Sequence, residues 1–242
     1  MCIRDRFSIA RDVAEVRTVN GKRWFSVCLL VSACAQATSA PVTADPPTEN
    51  TLWQQRQLFL SDYETWNLGA RLAVRAGRRH ETATIYWRRR GLTSRIDLFG
   101  AFGVGRVRIS EDPQGAVLVK NNADSINGQS ADEVLYRTLG WHVPFKQMGY
   151  WLRGLPEPEL PVTIRLDKNG RLEKLVQSGW QVTFLQYRIY AGRELPRKLY
   201  LVADPDMLPA RIQLEDDQAE SFSVKIVISQ WHDGDDKLQP SR

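Results

Sequence analysis

The feature that most constrains the fold is an alternation of apolar and polar residues with a period of two. A period of two places successive side chains on opposite faces, so each alternating segment predicts a strand with one covered face. The segments are short, and clusters of Gly, Asp, Asn and Pro separate them, which predicts an antiparallel meander. The predicted strands lie within residues 66–75, 82–87, 96–98, 107–109, 117–119, 162–166, 172–177, 180–184, 199–201, 212–214 and 222–228.

Three amphipathic segments predict helices. Thr51 and Gln54 have the spacing of a capping box, in which a hydroxyl and a glutamine side chain satisfy N–H groups of the first helical turn. Ser130 and Glu133 form a second box of this kind. The predicted helices cover residues 51–63, 131–140 and 144–152.

These elements predict a mainly β (α+β) fold. A sheet of about eleven strands with one apolar side must close on itself or be covered. The three helices are the only cover that the pattern offers. The sequence therefore predicts an incomplete antiparallel β-barrel of about eleven strands, with a helical lid over an apolar cavity.

Apolar residues on the covered side of the strands and helices are the candidates for lining that cavity. The strand candidates are Leu72, Val74, Ile85, Trp87, Ile96, Leu98, Val107, Ile109, Val182, Phe184, Ile212, Leu214 and Ile226. The lid candidates are Leu135, Leu139, Met148, Trp151 and Leu152. Periodicity identifies a covered face without separating a packed face from a hollow one. Ordinary core is therefore the alternative at each of these positions.

Residues 22–34 have the pattern of a secretory signal, because two cations precede a ten-residue apolar run and a small-residue cleavage site. The run is about half of the roughly 20 residues that cross a bilayer as a helix. Residues 31–34 also resemble the bacterial lipobox, which makes Cys34 the lipidated first residue of the mature chain. The alternatives are a buried core helix and an ordinary signal cut after Ala40, which would release a soluble periplasmic protein.

The signal divides the chain into four predicted parts. A signal peptide covers residues 1–33, and we interpret residues 1–18 as a spurious extension from a gene-start or assembly error. A lipidated, Pro-containing tether over 34–50 leads to a folded domain over 51–232 and a polar tail over 233–242. After cleavage Cys34 is the only cysteine, which excludes disulfides and cysteine metal sites.

The remaining composition argues against nucleic-acid binding and catalysis. Residues 1–33 carry six of the Lys/Arg and three of the Asp/Glu, so the rest of the chain is close to neutral. His80, His142 and His232 are not spaced as metal ligands, and no nucleophile elbow, phosphate-binding loop or dinucleotide fingerprint occurs. We expect no enzyme activity, no cofactor, no metal and no nucleic-acid partner.

Several segments together resemble the LolB family of outer-membrane lipoprotein receptors, over residues 24–231. They are the lipobox at 31–34, the strands at 66–73 and 85–87, Arg-Ile-Asp-Leu at 95–98 with Gly-Ala-Phe-Gly at 100–103, Gly-Trp-His-Val-Pro at 140–144, Trp-Leu-Arg-Gly-Leu-Pro at 151–156, Gln-Ser-Gly-Trp at 177–180 and the terminal Trp231. The resemblance implies a monomer that receives acylated lipoproteins from a periplasmic LolA-like carrier and inserts them into the inner leaflet of the outer membrane.

The resemblance also implies a location and a membrane contact. Ala35 follows the lipobox cysteine, where an aspartate would suggest retention at the inner membrane, so we expect an outer-membrane lipid anchor facing the periplasm. The family carries a protruding apolar residue on a loop between two early strands, and the matching position is Phe102. The family pattern has an aliphatic residue after a proline there, whereas this chain has Ala-Phe. A Phe102 ring folded back on the core is the alternative.

Two other functions compete with the receptor. A soluble periplasmic lipid or lipoprotein carrier of the same fold would lack acylation at Cys34. A purely structural outer-membrane lipoprotein would share the anchor and bind no acyl chain.

Overall fold

The structure, a computed structural model, describes residues 48–77, 79–100, 105–121, 125–139, 143–205 and 222–234. One antiparallel sheet and three helices form it. The strands are β1 (Thr65–Ala76), β2 (Arg79–Arg90), β3 (Thr93–Phe99), β4 (Arg106–Asp112), β5 (Gly115–Lys120), β6 (Ser125–Gly128), β7 (Val162–Leu166), β8 (Leu172–Gln177), β9 (Trp180–Tyr190), β10 (Arg193–Ala203) and β11 (Phe222–Asp233). The helices are α1 (Glu49–Ser61), α2 (Ala131–Leu139) and α3 (Phe145–Trp151).

The sheet consists of two meanders joined by the first and last strands. The strand order is β6-β5-β4-β3-β2-β1-β11-β10-β9-β8-β7, so β1 lies between β2 and β11. The edge strands β6 and β7 do not pair with each other in the described chain, and the sheet stays open. The prediction of an unclosed antiparallel sheet of about eleven strands with three helices is therefore confirmed.

Side chains on one face of the sheet form the core. Cross-strand partners on this face are both apolar, as where Ile109 pairs with Ile96 and where Ile226 pairs with Leu72 and Leu199. All five of these side chains are buried. Full burial of one such side chain stabilises the fold by roughly 1.5 to 3 kcal/mol, so this face is the main source of stability.

The first helix begins earlier than its predicted capping box. Thr48 is the N-cap of α1, and its Oγ1 accepts a hydrogen bond from Thr51 N at 3.3 Å. The predicted Thr51–Gln54 box is therefore wrong. Thr51 supplies the N–H that is capped, because Thr48 stands three residues before it and offers the same hydroxyl.

The second helix begins where its capping box predicts. Ser130 Oγ accepts from Glu133 N at 3.2 Å, which confirms Ser130 as the cap of α2. The Glu133 carboxylate reaches one residue further than in a regular capping box and accepts from Gln129 N at 2.7 Å. The helix α3 begins at Phe145 with Pro144 as its N-cap, one residue after its predicted start.

Two features of the strands differ from the prediction. The edge strand β6, which covers Ser-Ile-Asn-Gly, was not predicted, because its four mostly polar residues show no alternation. The strands β9 and β10 are longer than 180–184 and 199–201, because exposed apolar residues such as Leu185 and Ile189 break the alternation in β9. The strand predicted at 212–214 lies outside the described residues.

The helix α1 packs against turns at one end of the β7–β10 meander. A Cβ on Gly170, in the β7–β8 turn, would lie 2.5 Å from Leu52 Cβ, so only glycine permits this approach. Arg56 Nη1 on α1 and Arg171 Nη1 after the turn both pair with the carboxylate of Glu194, at 3.1 and 2.7 Å. These contacts attach α1 to β10 and to the β7–β8 turn.

Candidate functional site

The candidate site is the apolar face of the sheet together with α2 and α3. The strand candidates within the described residues are all buried, with relative exposures between 0 and 8%. Of the lid candidates, Leu135, Met148, Trp151 and Leu152 are buried, and Leu139 is partly buried against the core. Four predicted site residues lie outside the described residues, namely Cys34, Phe102, Ile212 and Leu214.

Strand and lid side chains belong to one hydrophobic cluster. Burial is required of a packed core and of a closed acyl-chain site alike, so the assignment of these residues to a cavity stays a prediction.

Two open cavities occur elsewhere on the described surface. One of about 480 Å³ lies between β1, β2, β3 and β11, and its exposed lining residues Arg71 and Lys225 belong to the polar side of the sheet. Among the predicted cavity residues only Leu72 borders it. The other, of about 380 Å³, is lined by charged and hydroxyl side chains that include Arg88, Arg95 and Asp112.

The lid helices are joined at their amino-terminal ends by a carboxylate. Asp132 Oδ1, in the first turn of α2, accepts a hydrogen bond from Phe145 N at 2.9 Å. Burial, with the negative charges of Glu111 and Glu157 nearby, raises the pKa of Asp132 to about 6. Glu111 also accepts from Ala131 N at 2.9 Å, so α2 is held to β4.

An aromatic cluster lies between α3 and the centre of the sheet. Phe145 meets Trp87 edge to face at 5.5 Å between ring centroids, and Trp66 lies 5.3 Å from Trp87 and 5.1 Å from Trp231. The indole Nε1 atoms of Trp66 and Trp231 are buried and have no hydrogen-bond partner among the described residues. A buried donor without a partner costs about 1 to 3 kcal/mol, so both could donate to a ligand carbonyl at a net gain.

The segments 151–156 and 177–180, which carry much of the family resemblance, are in direct contact. Gln177 Oε1 accepts from Trp151 Nε1 and from Glu157 N, both at 2.9 Å. Its Nε2 donates to the carbonyl oxygens of Glu157 and Leu160, at 2.9 and 3.2 Å. This one buried amide fixes the carboxyl end of α3 to β8.

Arg153 fixes the same end of α3 to α1. The side chain is 2% exposed and donates from Nη1 to the carbonyl oxygens of Tyr63 and Leu60, at 2.9 and 3.3 Å. Its Nε donates to Gly149 O at 3.1 Å. Burial and the positive charge of Arg89 lower the pKa of Arg153. The guanidinium therefore supplies donors to backbone carbonyls in the last turn of α1 and in the segment directly after it.

An ion pair between an exposed lysine and a buried glutamate closes the loop after α3. Lys146 Nζ lies 2.6 Å from Glu157 Oε1, and the Glu157 side chain is 2% exposed. The hydrogen bond with this carboxylate raises the pKa of Lys146.

The sequence did not identify the polar residues that attach α2 and α3 to each other and to the rest of the fold. Asp132, Arg153 and Gln177 were visible only as members of motifs, and no spacing rule links positions so far apart in the chain. Trp66 could have been found, since it occupies the covered face of β1 by alternation.

The described residues contain neither a candidate membrane-spanning helix nor a candidate metal cluster. No helix there combines the length and hydropathy that a membrane span needs. In the same part of the chain, no three His, Cys, Asp or Glu side chains are grouped so that they could hold a metal ion.

Comparisons with known proteins give the family. A family model described as outer membrane lipoprotein LolB matches residues 64–231. The outer-membrane lipoprotein LolB of Nitrosococcus oceani is 36% identical over 174 residues, covering 72% of this chain and 85% of that protein. The LolB of Pseudomonas syringae pv. syringae is 31% identical over 210 residues, covering 86% and 93%.

A solved LolA superfamily protein from Nitrosomonas europaea aligns with 79% of this chain and 96% of its own, at 10% identity and a TM-score of 0.48. The LolB family model spans β1 to the Trp231 position of β11 and thus includes α2, α3 and the contacting segments 151–156 and 177–180. By this match and by the identity with its members, the chain belongs to the LolB family of outer-membrane lipoproteins.

Proposed function

We propose that this protein is the outer-membrane receptor that accepts lipoproteins from a periplasmic carrier through their acyl chains and inserts them into the outer membrane. Lipidated Cys34 anchors it, and the folded domain faces the periplasm. The observation that carries the proposal is the continuous buried apolar face of an open sheet, covered by two short helices, in a chain of the LolB family.

Acyl transfer between proteins needs no nucleotide or metal. Exposing each methylene to water costs roughly 0.8 kcal/mol, so the acyl chains must pass between two apolar surfaces that touch. The direction follows from the difference in affinity, each tenfold step corresponding to about 1.4 kcal/mol. A site somewhat more apolar than that of the carrier is therefore sufficient.

The helix α3 is the element best suited to admit the acyl chains. It has seven residues, and a helix this short depends on tertiary contacts for its stability. When α3 moves away from the aromatic cluster, the chains can replace its apolar contacts. The indole N–H groups of Trp66 and Trp231 then donate to an ester or amide carbonyl of the acylated cysteine.

The transfer step is tested with a radiolabelled lipoprotein bound to its carrier. The chain carrying Cys34→Ala is added, and we expect the label to co-purify with it. A cargo of the same sequence without acyl chains should stay unbound. Acylated label that stays on the carrier would remove the receptor function.

The anchor separates the receptor from a soluble carrier of the same fold. We expect mass spectrometry of the mature protein to find Cys34 as the first residue, bearing the mass of its acyl chains. An unmodified amino terminus after Ala40 would instead support the soluble carrier.

We assign the delivery step to the loop between β3 and β4, through Phe102. A negative charge there should prevent contact with hydrocarbon, because a carboxylate is costly to bury. Phe102→Glu is expected to keep cargo uptake and to lose release into liposomes.

Leu92→Glu is the matched control for this variant. Leu92 is 75% exposed in the turn between β2 and β3, at the other end of β3. This variant should release cargo normally. Normal release by Phe102→Glu as well would remove the loop from the mechanism.

A further inference from the structure

Four arginines converge on one aspartate on the polar face of the sheet. Asp97 on β3 accepts from Arg106 Nη2 at 2.9 Å and from Arg108 Nε at 2.8 Å, both on β4. Arg95 Nε lies 3.5 Å from the same carboxylate, and Arg88 Nη2 on β2 lies 3.9 Å from it. We call Arg88, Arg95, Arg106 and Arg108 the arginine cluster.

The arginine cluster carries more positive charge than its aspartate can balance. Burial opposes ionisation of Asp97, but the hydrogen bonds from Arg106 and Arg108 hold its pKa below the usual value, so it is charged. One carboxylate still faces four guanidinium groups. Arg88 and Arg95 lie directly opposite each other across β2 and β3, an arrangement of like charges that destabilises an antiparallel pair.

The guanidinium groups are accessible to an external anion. The four side chains are between 31 and 44% exposed, whereas the Asp97 side chain is only 7% exposed. Each guanidinium has five N–H donors, and the carboxylate can accept only about four hydrogen bonds. The planar donor pairs that remain match phosphate oxygens in a bidentate geometry.

The position of the cluster favours a membrane surface over an acidic protein. The strand β3 ends at Phe99, two residues after Asp97, and Gly100 N donates to Gly105 O at 3.0 Å to close the loop between β3 and β4. Each guanidinium contacts the Asp97 carboxylate within 3.9 Å. At roughly 3.3 Å per residue, the charge therefore lies about 7 Å from the end of β3.

A lipid headgroup layer is about 5 to 7 Å thick in each leaflet, so a loop that reaches hydrocarbon would place the cluster among the phosphates. The aromatic residues on this face of the sheet are also suited to the depth of the lipid headgroups. Arg106 lies over the Phe99 ring at 5.1 Å, and Phe99 packs edge to face on Tyr86 at 5.8 Å. Aromatic rings beside basic side chains are typical of a membrane–water interface.

We propose that the arginine cluster binds the phosphate groups of anionic phospholipids and so points the β3–β4 loop at the bilayer. This step rests on the proposed function, since it orients the domain for delivery. The lipid anchor alone holds the protein at the membrane through a tether and fixes no orientation.

The test compares vesicle binding of two double variants in the chain carrying Cys34→Ala, without cargo. Arg88→Gln/Arg95→Gln removes two charges and keeps the short hydrogen bonds of Arg106 and Arg108 to Asp97. The matched control is Arg188→Gln/Arg197→Gln, which removes two charges from β9 and β10. Binding is measured by co-sedimentation with phosphatidylcholine vesicles that contain or lack phosphatidylglycerol.

We expect the parent and the control to bind the anionic vesicles and the Arg88/Arg95 variant to bind them about thirtyfold more weakly, which corresponds to about 2 kcal/mol. Salt should weaken the parent's binding. Equal binding by both variants, or equal binding to both kinds of vesicle, would overturn the proposal. An unchanged vesicle affinity with a loss of carrier binding would assign the cluster to an acidic protein instead.

Cargo uptake from the carrier is measured in parallel to separate the two proposals. The Arg88/Arg95 variant should take up labelled lipoprotein as the parent does. If the parent takes up no cargo, the receptor function fails, while the vesicle result still decides the role of the cluster.

Discussion

Single side chains, at the residue scale, hold the lid to the rest of the fold. The Arg153 guanidinium donates to carbonyls of two separate segments, at Tyr63 and Gly149. Arg153→Lys keeps the charge but replaces the planar fork with one point charge that cannot reach both segments. Buried carbonyls then lose their donors, and we expect the free energy of unfolding to fall by about 2 to 3 kcal/mol in urea denaturation.

The control for this prediction is Arg137→Lys on α2, whose side chain is 53% exposed and pairs with Glu133 at 3.5 Å. An exposed pair of this kind contributes less than about 1 kcal/mol, so this variant should unfold close to the parent. An Arg153→Lys variant that unfolds as the parent does would show that Arg153 acts through its charge, which lysine keeps, rather than through its fork of donors.

Asp132 gives the lid a dependence on pH. Its folded pKa is about 6, above the usual 3.8, so between these values the folded state binds more protons than the unfolded chain. The free energy of unfolding therefore falls as pH rises from about 4 to 6, by about 2 to 3 kcal/mol for this group. Asp132→Asn keeps an oxygen acceptor for Phe145 N and should remove this slope.

The comparison of Asp132→Asn with the parent is made by urea denaturation at several pH values. We expect the variant to be the more stable protein at pH 8, where the parent carries a buried charge. A parent and variant that show the same slope between pH 4 and 6 would mean that Asp132 titrates normally in the folded state.

At the scale of elements, the two threonines at the start of α1 make unequal contributions. Thr48 is the N-cap, and Thr51 supplies the capped N–H. Thr48→Ala should lower the free energy of unfolding by about 1 kcal/mol, and Thr51→Ala, which keeps its N–H, should change it by less than half of that. Thermal unfolding of the two variants checks this, and a larger loss in Thr51→Ala would restore the capping box at Thr51.

The elements were predictable from sequence where one physical rule dominates. Alternation gave most of the strands, because a half-covered sheet demands it, and Ser130 gave the start of α2 through a local hydrogen bond. The start of α1 was not predictable, because Thr48 and Thr51 can both serve as an N-cap. The short strand β6 was not predictable either, because its pairing with the edge of β5 decides its structure rather than its own residues.

At the scale of the whole molecule, long-range pairing limits what the sequence predicts. The contact of β1 with β11 joins residues such as Leu72 and Ile226, and no local pattern specifies it. The same limit applies to the site. The covered faces were predicted, whereas Gln177 and Trp151 meet only because β8 and α3 dock together. Whether a covered face is packed or hollow depends on such docking.

The lid prediction follows from the way in which the molecule is held together. The pairing of β1 with β11 runs along nearly the whole of both strands, whereas α3 is a short helix held by a few side chains. Elements with few stabilising contacts open at the lowest free energy.

A fatty acid such as palmitate, as a stand-in for the lipoprotein acyl chain, should therefore raise amide hydrogen exchange in α3 and leave exchange in β1 and β11 unchanged. Mass spectrometry of peptides covering 145–152, 65–76 and 222–233 measures this. Palmitate that binds without altering exchange in α3 would place the entry route elsewhere, and a rise in all three peptides would indicate unfolding instead of an opening lid.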